Sequence, residues 1–139
     1  SLAEMKSIIA PAYTSWCEQD FKNYLERFNL NPKQKINTLS KGMKMKYALA
    51  LALSHKAELL IMDEPTRGID VGTKYEIYKI MVELARQGIA IIMISSELPE
   101  LISMSDRIIV LSGGKVSGEL QQEDASQEKV MELATRMVV

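Results

Sequence analysis

The sequence predicts an α/β fold in which short, buried strands run parallel and are joined by helices. Two continuous apolar runs, Leu59–Met62 and Ile89–Ile94, each stop at polar residues, as strands covered on both faces of a parallel sheet do. The segment between them, from about Gly72 to Arg86, has helical spacing and ends at Gly88, where a C-terminal glycine belongs. Farther on, Arg107–Leu111 and Lys115–Leu120 flank Ser112-Gly113-Gly114, a hairpin signal.

Taken in order, residues 4–28 are rich in apolar groups and interrupted by Pro11. Trp16, Phe21, Tyr24, Leu25 and Phe28 recur at a helical period, which predicts a helix over 16–28 that stops before Asn31-Pro32. A second helix is expected over Leu39–Leu53, with Ser40 as its cap and Met43, Tyr47, Leu49, Ala50 and Leu53 as its apolar stripe. After the strand–helix–strand unit, Pro99 precedes a short helix at Glu100–Met104. The last helix is expected to start from a capping box at Asp124-Ala125-Ser126-Gln127 and to run to Arg136. This order divides the chain into a helical subdomain, residues 1–55, and an α/β portion, residues 56–139.

Composition narrows the function. The 139 residues are 47% hydrophobic and 25% charged, the balance of one globular domain or a large piece of one. Seventeen Lys+Arg against eighteen Asp+Glu leave a net charge of −1, so no basic field argues for nucleic acid. Lys33, Lys35, Lys41, Lys44 and Lys46 form a local basic run, but without an aromatic platform they read as a solvated face. The apolar runs are far shorter than the roughly 20 residues that cross a bilayer. The start, SLAEMKS, has no long apolar h-region, and a first residue that is not Met fits a processed or truncated chain. One cysteine, Cys17, forms no internal disulfide and suits a reducing, cytoplasmic compartment.

Two stretches carry candidate chemistry. In LLIMDEPT, residues 59–66, Asp63 and Glu64 emerge at the carboxyl end of a strand, where ligands bind in open α/β sheets. An aspartate there can hold Mg²⁺ through water, and a glutamate can orient or deprotonate a water attacking phosphate. A solvated acidic turn is the competing reading. In Leu39-Ser40-Lys41-Gly42-Met43, the helix start offers unpaired amides to an anion; an ordinary Ser cap is the alternative. Ser112-Gly113-Gly114-Lys115 lies between two β runs and reads as a turn. The lone histidine, His55, reads as an exposed connection residue, and the nine methionines as core filling.

Together these motifs resemble the nucleotide-binding domains of ATP-binding cassette (ABC) transporters. LSKGM is similar to the family's signature, LLIMDE to its Walker B strand, Thr66–Asp70 (TRGID) to its D-loop, and Ile91–Glu97 to its switch-histidine strand. The resemblance implies a partial P-loop NTPase core with parallel strands, preceded by a helical subdomain. It implies ATP and Mg²⁺ as cofactors, Asp63 as Mg²⁺ support and Glu64 as catalytic base. Ser40 and Gly42 would meet the γ-phosphate of a nucleotide held by an opposing cassette, Asp70 would contact that partner subunit, and Ser96 would stand at the switch position. Transmembrane permease subunits and a second cassette, or a homo-oligomer, are the implied partners. Three departures stand out: the 139 residues contain no G-x-x-x-x-G-K-[ST] loop, Ser96 replaces the switch histidine, and Lys41 replaces a glycine of the signature. Residues 5–55 resemble antibiotic-efflux cassettes, whereas the sequence from Thr66 onward resembles the second cassette of ribose and galactose importers, so a chimera with a seam near Asp63–Thr66 is one expectation. The leading reading is a fragment or chimera of an ABC ATPase inactive alone; the other is a non-catalytic, self-associating α/β module.

Overall fold

The computed structural model describes residues 1–136 and groups the chain into two compact units, Ser1–Ile92 and Met93–Val139. The helical stretch to His55 thus shares a unit with the first strand and the helix after it.

In the first unit, α1 (Leu2–Ile9) opens at a capping box in which Ser1 accepts from the Glu4 amide. The S-x-x-E spacing that encodes this box was not read in the sequence, so α1 was missing from the expected order. Pro11 lies in a 3-10 turn at Ala10–Ala12 that ends the helix. Helix α2 (Glu18–Arg27) falls within its predicted stretch and helix α3 (Lys41–Ser54) runs one residue past its own, each starting two residues later than expected. They pack through Phe21, Leu25, Leu49 and Leu53, all buried. Tyr47 lies edge-on to Phe21 at 6.3 Å, and its hydroxyl donates to the Leu2 carbonyl at 2.8 Å, fixing α1 to α3. Burial pushes the Tyr47 phenol up.

Strand β1 (Leu59–Asp63) leads through a loop to α4 (Val71–Arg86), and β2 (Ala90–Ile94) returns beside β1 in a two-stranded parallel sheet. Gly88 takes φ +90° just after α4, the left-handed turn that its position in the sequence predicts. Helix α4 buries Ile77, Ile80, Met81 and Leu84. The expectation of strands covered on both faces is corrected here: Leu60 and Met62 are buried, but Ile61 is 67% and Ile92 51% exposed. An apolar run reports that a strand can be covered twice; within this unit only one face has a cover.

The second unit is built on an antiparallel hairpin, β3 (Arg107–Ser112) and β4 (Lys115–Gln121), with Gly113 and Gly114 at φ +57° and +78°. Those left-handed angles confirm Ser112–Lys115 as a turn. Ile108, Val110 and Val130 form its core, covered by α5 (Leu98–Met104) and α6 (Gln127–Thr135). Ser126, not Asp124, caps α6: its hydroxyl accepts from the Lys129 amide at 3.3 Å, while Asp124 lies in a 3-10 turn and ion-pairs with Lys129. The cap therefore lies two residues after the expected Asp124, and it is a single Ser cap rather than a capping box, since Lys129 stands at the third helical position. Among the described residues, no helix is long and apolar enough to cross a membrane.

The one-sided burial of β1 sets a contrast between neighbours. Met62→Ala should lower unfolding free energy by about 2–5 kcal/mol, as a core truncation does, whereas Ile61→Ala should stay within ~0.5 kcal/mol. Urea denaturation of the two variants measures the difference.

Candidate functional site

The first unit brings two of the predicted motifs together. Ser40 has extended backbone (φ −62°, ψ 165°), and its hydroxyl accepts from the Met43 amide at 3.2 Å, capping α3. Asp70 does the same for α4, accepting from the Thr73 amide at 3.0 Å. Hydrogen bonds from the Thr73 amide, and then from its hydroxyl, hold the exposed Asp70 carboxyl below the ordinary aspartate range.

These two helix starts touch. A Cβ placed on buried Gly42 would stand 2.2 Å from Thr73 Cγ2 and 3.5 Å from Ile69 Cγ2. Gly42 therefore has a structural reason within this chain: α3 and α4 approach closely only where residue 42 lacks a side chain. Farther along, Lys46 pairs with Glu76, and Arg27 on α2 pairs with Glu83. Thr73, Glu76, Ile80 and Glu83 form one stripe of α4, so this helix is tied to α2 and α3 along its length.

Between strand and helix the chain turns sharply. Asp63 ends β1 and is exposed; Glu64 follows, half-buried, with φ +47°. A non-glycine residue in the left-handed region costs about 1–2 kcal/mol. Such strain clusters at functional positions. The Glu64 carbonyl accepts from the Arg67 amide at 3.2 Å, and the Thr66 carbonyl from the Ile69 amide at 3.1 Å, closing the loop onto itself. Gly68 takes φ +69°, and the Lys41 ammonium nitrogen lies 2.6 Å from where its Cβ would be. A cleft of about 310 Å³ opens between α3 and this loop, lined by Lys41, Lys44, Met45, Ala48, Glu64, Pro65, Arg67 and Ile69.

No three His, Cys, Asp or Glu side chains among the described residues cluster as a metal site. Asp63 and Glu64 at a strand end suit an ion that retains several waters and takes one or two carboxylates plus substrate phosphates. Ser96 lies in the second unit, exposed between β2 and α5. There, Ser95 donates to buried Glu100 at 2.6 Å and accepts from the Glu97 amide at 3.0 Å.

Other residues fall away from this chemistry. His55 is half-buried rather than exposed: its ring stacks on Tyr13 at 3.9 Å. Cys17 is half-buried. Of the basic run, Lys33, Lys35, Lys41 and Lys44 are exposed, but Lys46 is mostly covered and paired. Thr73 was missed in the sequence, although Asp70-x-x-Thr73 has capping spacing; what could not be read there is the cross-helix contact with Gly42.

Known proteins point the same way. The ABC transporter family model matches residues 2–67. The chain is 56% identical over 101 residues to the xylose import ATP-binding protein of Geobacillus kaustophilus, covering 73% of this chain and 20% of that protein. It is 48% identical over 123 residues to the galactose/methyl galactoside import ATP-binding protein of Clostridium tetani, covering 86% of this chain and 24% of that one. It therefore spans about a fifth to a quarter of the length of these relatives. A solved ATP-binding cassette of an ABC transporter superposes with a TM-score of 0.73 at 25% identity, over 83% of this chain and 48% of that one. The fold also matches the ATP-binding subunit of an ABC transporter with a TM-score of 0.80, over 98% of this chain and 62% of that one.

Two measurements check this geometry. Gly42→Ala should cost about 1–3 kcal/mol by overpacking. Thr73→Ser, which removes the opposing methyl and keeps the hydroxyl, should recover at least ~0.5 kcal/mol of that loss in the double variant. For Asp70, the folded pKa lies below the unfolded one, so its stabilisation is complete above about pH 3.8 and is lost as pH falls through the lowered value. Asp70→Ala should therefore melt below the parent at pH 7, and the gap should shrink progressively below pH 3.8, followed by circular dichroism.

Proposed function

The chain carries part of an ABC transporter ATP-binding domain and resembles those of ribose and galactose importers, and we propose that it supplies the acidic and signature elements of such a cassette while leaving the nucleotide cradle to other sequence. The observation that carries this reading is the joining of the two motifs in one unit, with Gly42 seated on Thr73 and Lys41 lying over Gly68.

In an assembled cassette pair, Asp63 would support Mg²⁺, and the ion would neutralise charge on the β- and γ-phosphates. Glu64 would hold and deprotonate the attacking water at its carboxylate, from a backbone position already turned out of the strand. Ser40 and the amides at the start of α3, with Gly42, would face the γ-phosphate of the opposing cassette's nucleotide, where helix dipole and unpaired N–H groups favour an anion. Asp70 would meet the partner subunit while capping α4. Ser96 would occupy the switch position, where a hydroxyl replaces a chargeable ring. The whole protein would drive sugar import from the cytoplasmic face, through transmembrane permease subunits.

The chain alone has no sequence for the phosphate-cradling loop, whose amides and lysine hold the β/γ-phosphates in P-loop enzymes. Hydrolysis should therefore be absent. The galactose-type match covers 86% of the chain and so runs through the proposed seam at Asp63–Thr66, which favours one parent over two.

A self-associating module is the second reading, favoured by the uncovered face at Leu59, Ile61 and Ile92, 49%, 67% and 51% exposed. It requires a mass by light scattering that rises with concentration and falls back in Ile61→Lys; a strict monomer contradicts it.

For the leading reading, phosphate release from Mg²⁺-ATP should be the same for the chain and for its Glu64→Gln variant, at the uncatalysed background. Turnover by the parent chain that is lost in Glu64→Gln would overturn the inactive-alone reading.

A further inference from the structure

The three residues between β2 and α5 carry a closed set of hydrogen bonds that the cassette chemistry does not use. Ser95 donates its hydroxyl to Glu100 at 2.6 Å and accepts from the Glu97 amide at 3.0 Å. The Glu97 carbonyl in turn accepts from the Glu100 amide at 3.0 Å and from the Leu101 amide at 3.2 Å. Ser95, Glu97 and Glu100 thus bond one to the next and back to the start. Ser96, where the chain bends, is the residue that this ring encloses. All of them belong to the second unit.

Burial gives the ring its direction. Glu100 is 4% exposed, so its carboxylate is withdrawn from water and depends on donors from the protein. Ser95 is such a donor, and a hydroxyl whose proton is committed to Glu100 keeps lone pairs for the Glu97 amide. The start of α5 supplies no equivalent tie: Glu97 stands at its N-cap without a side-chain capping bond, and Pro99 in the first turn has no amide to offer. Ser95 therefore holds the link from strand to helix, and a residue in the first turn of α5 orients Ser95.

We infer that Glu100 is a positioning residue for Ser96. It fixes the rotamer of Ser95, Ser95 fixes the Glu97 amide, and the bend between them holds Ser96 in place. The inference rests on the reading of Ser96 as the switch-position residue. A serine hydroxyl reaches less far than an imidazole, so the backbone that carries it has to be placed more closely than a histidine's. The buried carboxylate supplies that constraint to an exposed residue.

The test is nuclear magnetic resonance on the 139-residue chain without nucleotide, reading amide hydrogen exchange at Glu97 and the amide order parameter of Ser96. Ser95→Ala and Glu100→Met should each speed Glu97 exchange about tenfold, the size of one hydrogen bond. Both should lower the Ser96 order parameter from about 0.85 toward 0.6. Glu100→Gln keeps an acceptor at the same length and should leave both readouts close to the parent's, whereas a carboxylate that only fills space would make Gln and Met alike. The Val130 amide, bonded to the Ser126 carbonyl at 3.0 Å in the same unit, reports whether the unit stays folded. If its protection collapses in Glu100→Met, the parent chain decides: a Ser95 hydroxyl proton with Overhauser contacts to the Glu100 γ-protons supports the inference, and one that contacts only other residues contradicts it. Glu97 exchange unmoved by Ser95→Ala, or identical in Glu100→Gln and Glu100→Met, would overturn it. None of these readouts involves phosphate release, so the positioning role can fail with the cassette reading intact, and the cassette reading can fail with this role intact.

Discussion

A Cβ at Gly42 would stand 2.2 Å from the Thr73 methyl, so the first turns of α3 and α4 meet only because residue 42 has no side chain. That contact sets the positions of both capping residues. Ser40 lies two residues before Gly42, and Asp70 three before Thr73, so the contact lies within the first turn that each residue caps. The ion pairs Lys46–Glu76 and Arg27–Glu83 continue the alignment along α4. Exposed pairs of this kind contribute little each; here they mark the stripe along which three helices run together, while buried Ile77, Ile80 and Leu84 supply most of the cohesion.

The loop from Glu64 to Ile69 draws on the same constraint. It must carry the chain from the end of β1 to an α4 whose start is fixed against α3, and it does so with two left-handed residues, Glu64 and Gly68. Gly68 adopts that conformation at no steric cost. Glu64 does not, and it holds φ +47° directly after exposed Asp63.

Much of this was legible in the sequence because local rules encode it. Ser40 read as a helix cap, Gly88 as a left-handed stop and Ser112–Lys115 as a turn, and each depends on only a few neighbouring residues. What the sequence did not disclose depends on the rest of the fold. The apolar runs at Leu59–Met62 and Ile89–Ile94 state an affinity for cover on two faces, but whether the second face is covered depends on other elements. The Gly42–Thr73 contact joins residues 31 apart, and nothing in either motif names the other. At α6 the cap is Ser126 rather than the expected Asp124: Ser126 has extended backbone immediately before the helix, while Asp124 lies in a 3-10 turn.

The claim that Gly42 serves the joining of α3 and α4 within this chain is tested most directly by proton NMR. Nuclear Overhauser contacts between the Gly42 α-protons and the Thr73 γ-methyl are the measurement. A strong cross-peak, together with weaker ones from the Ile69 γ-methyl, is what the account predicts. A spectrum in which the Thr73 methyl contacts only its own helix would contradict it, and would separate the two motifs that the structure places side by side.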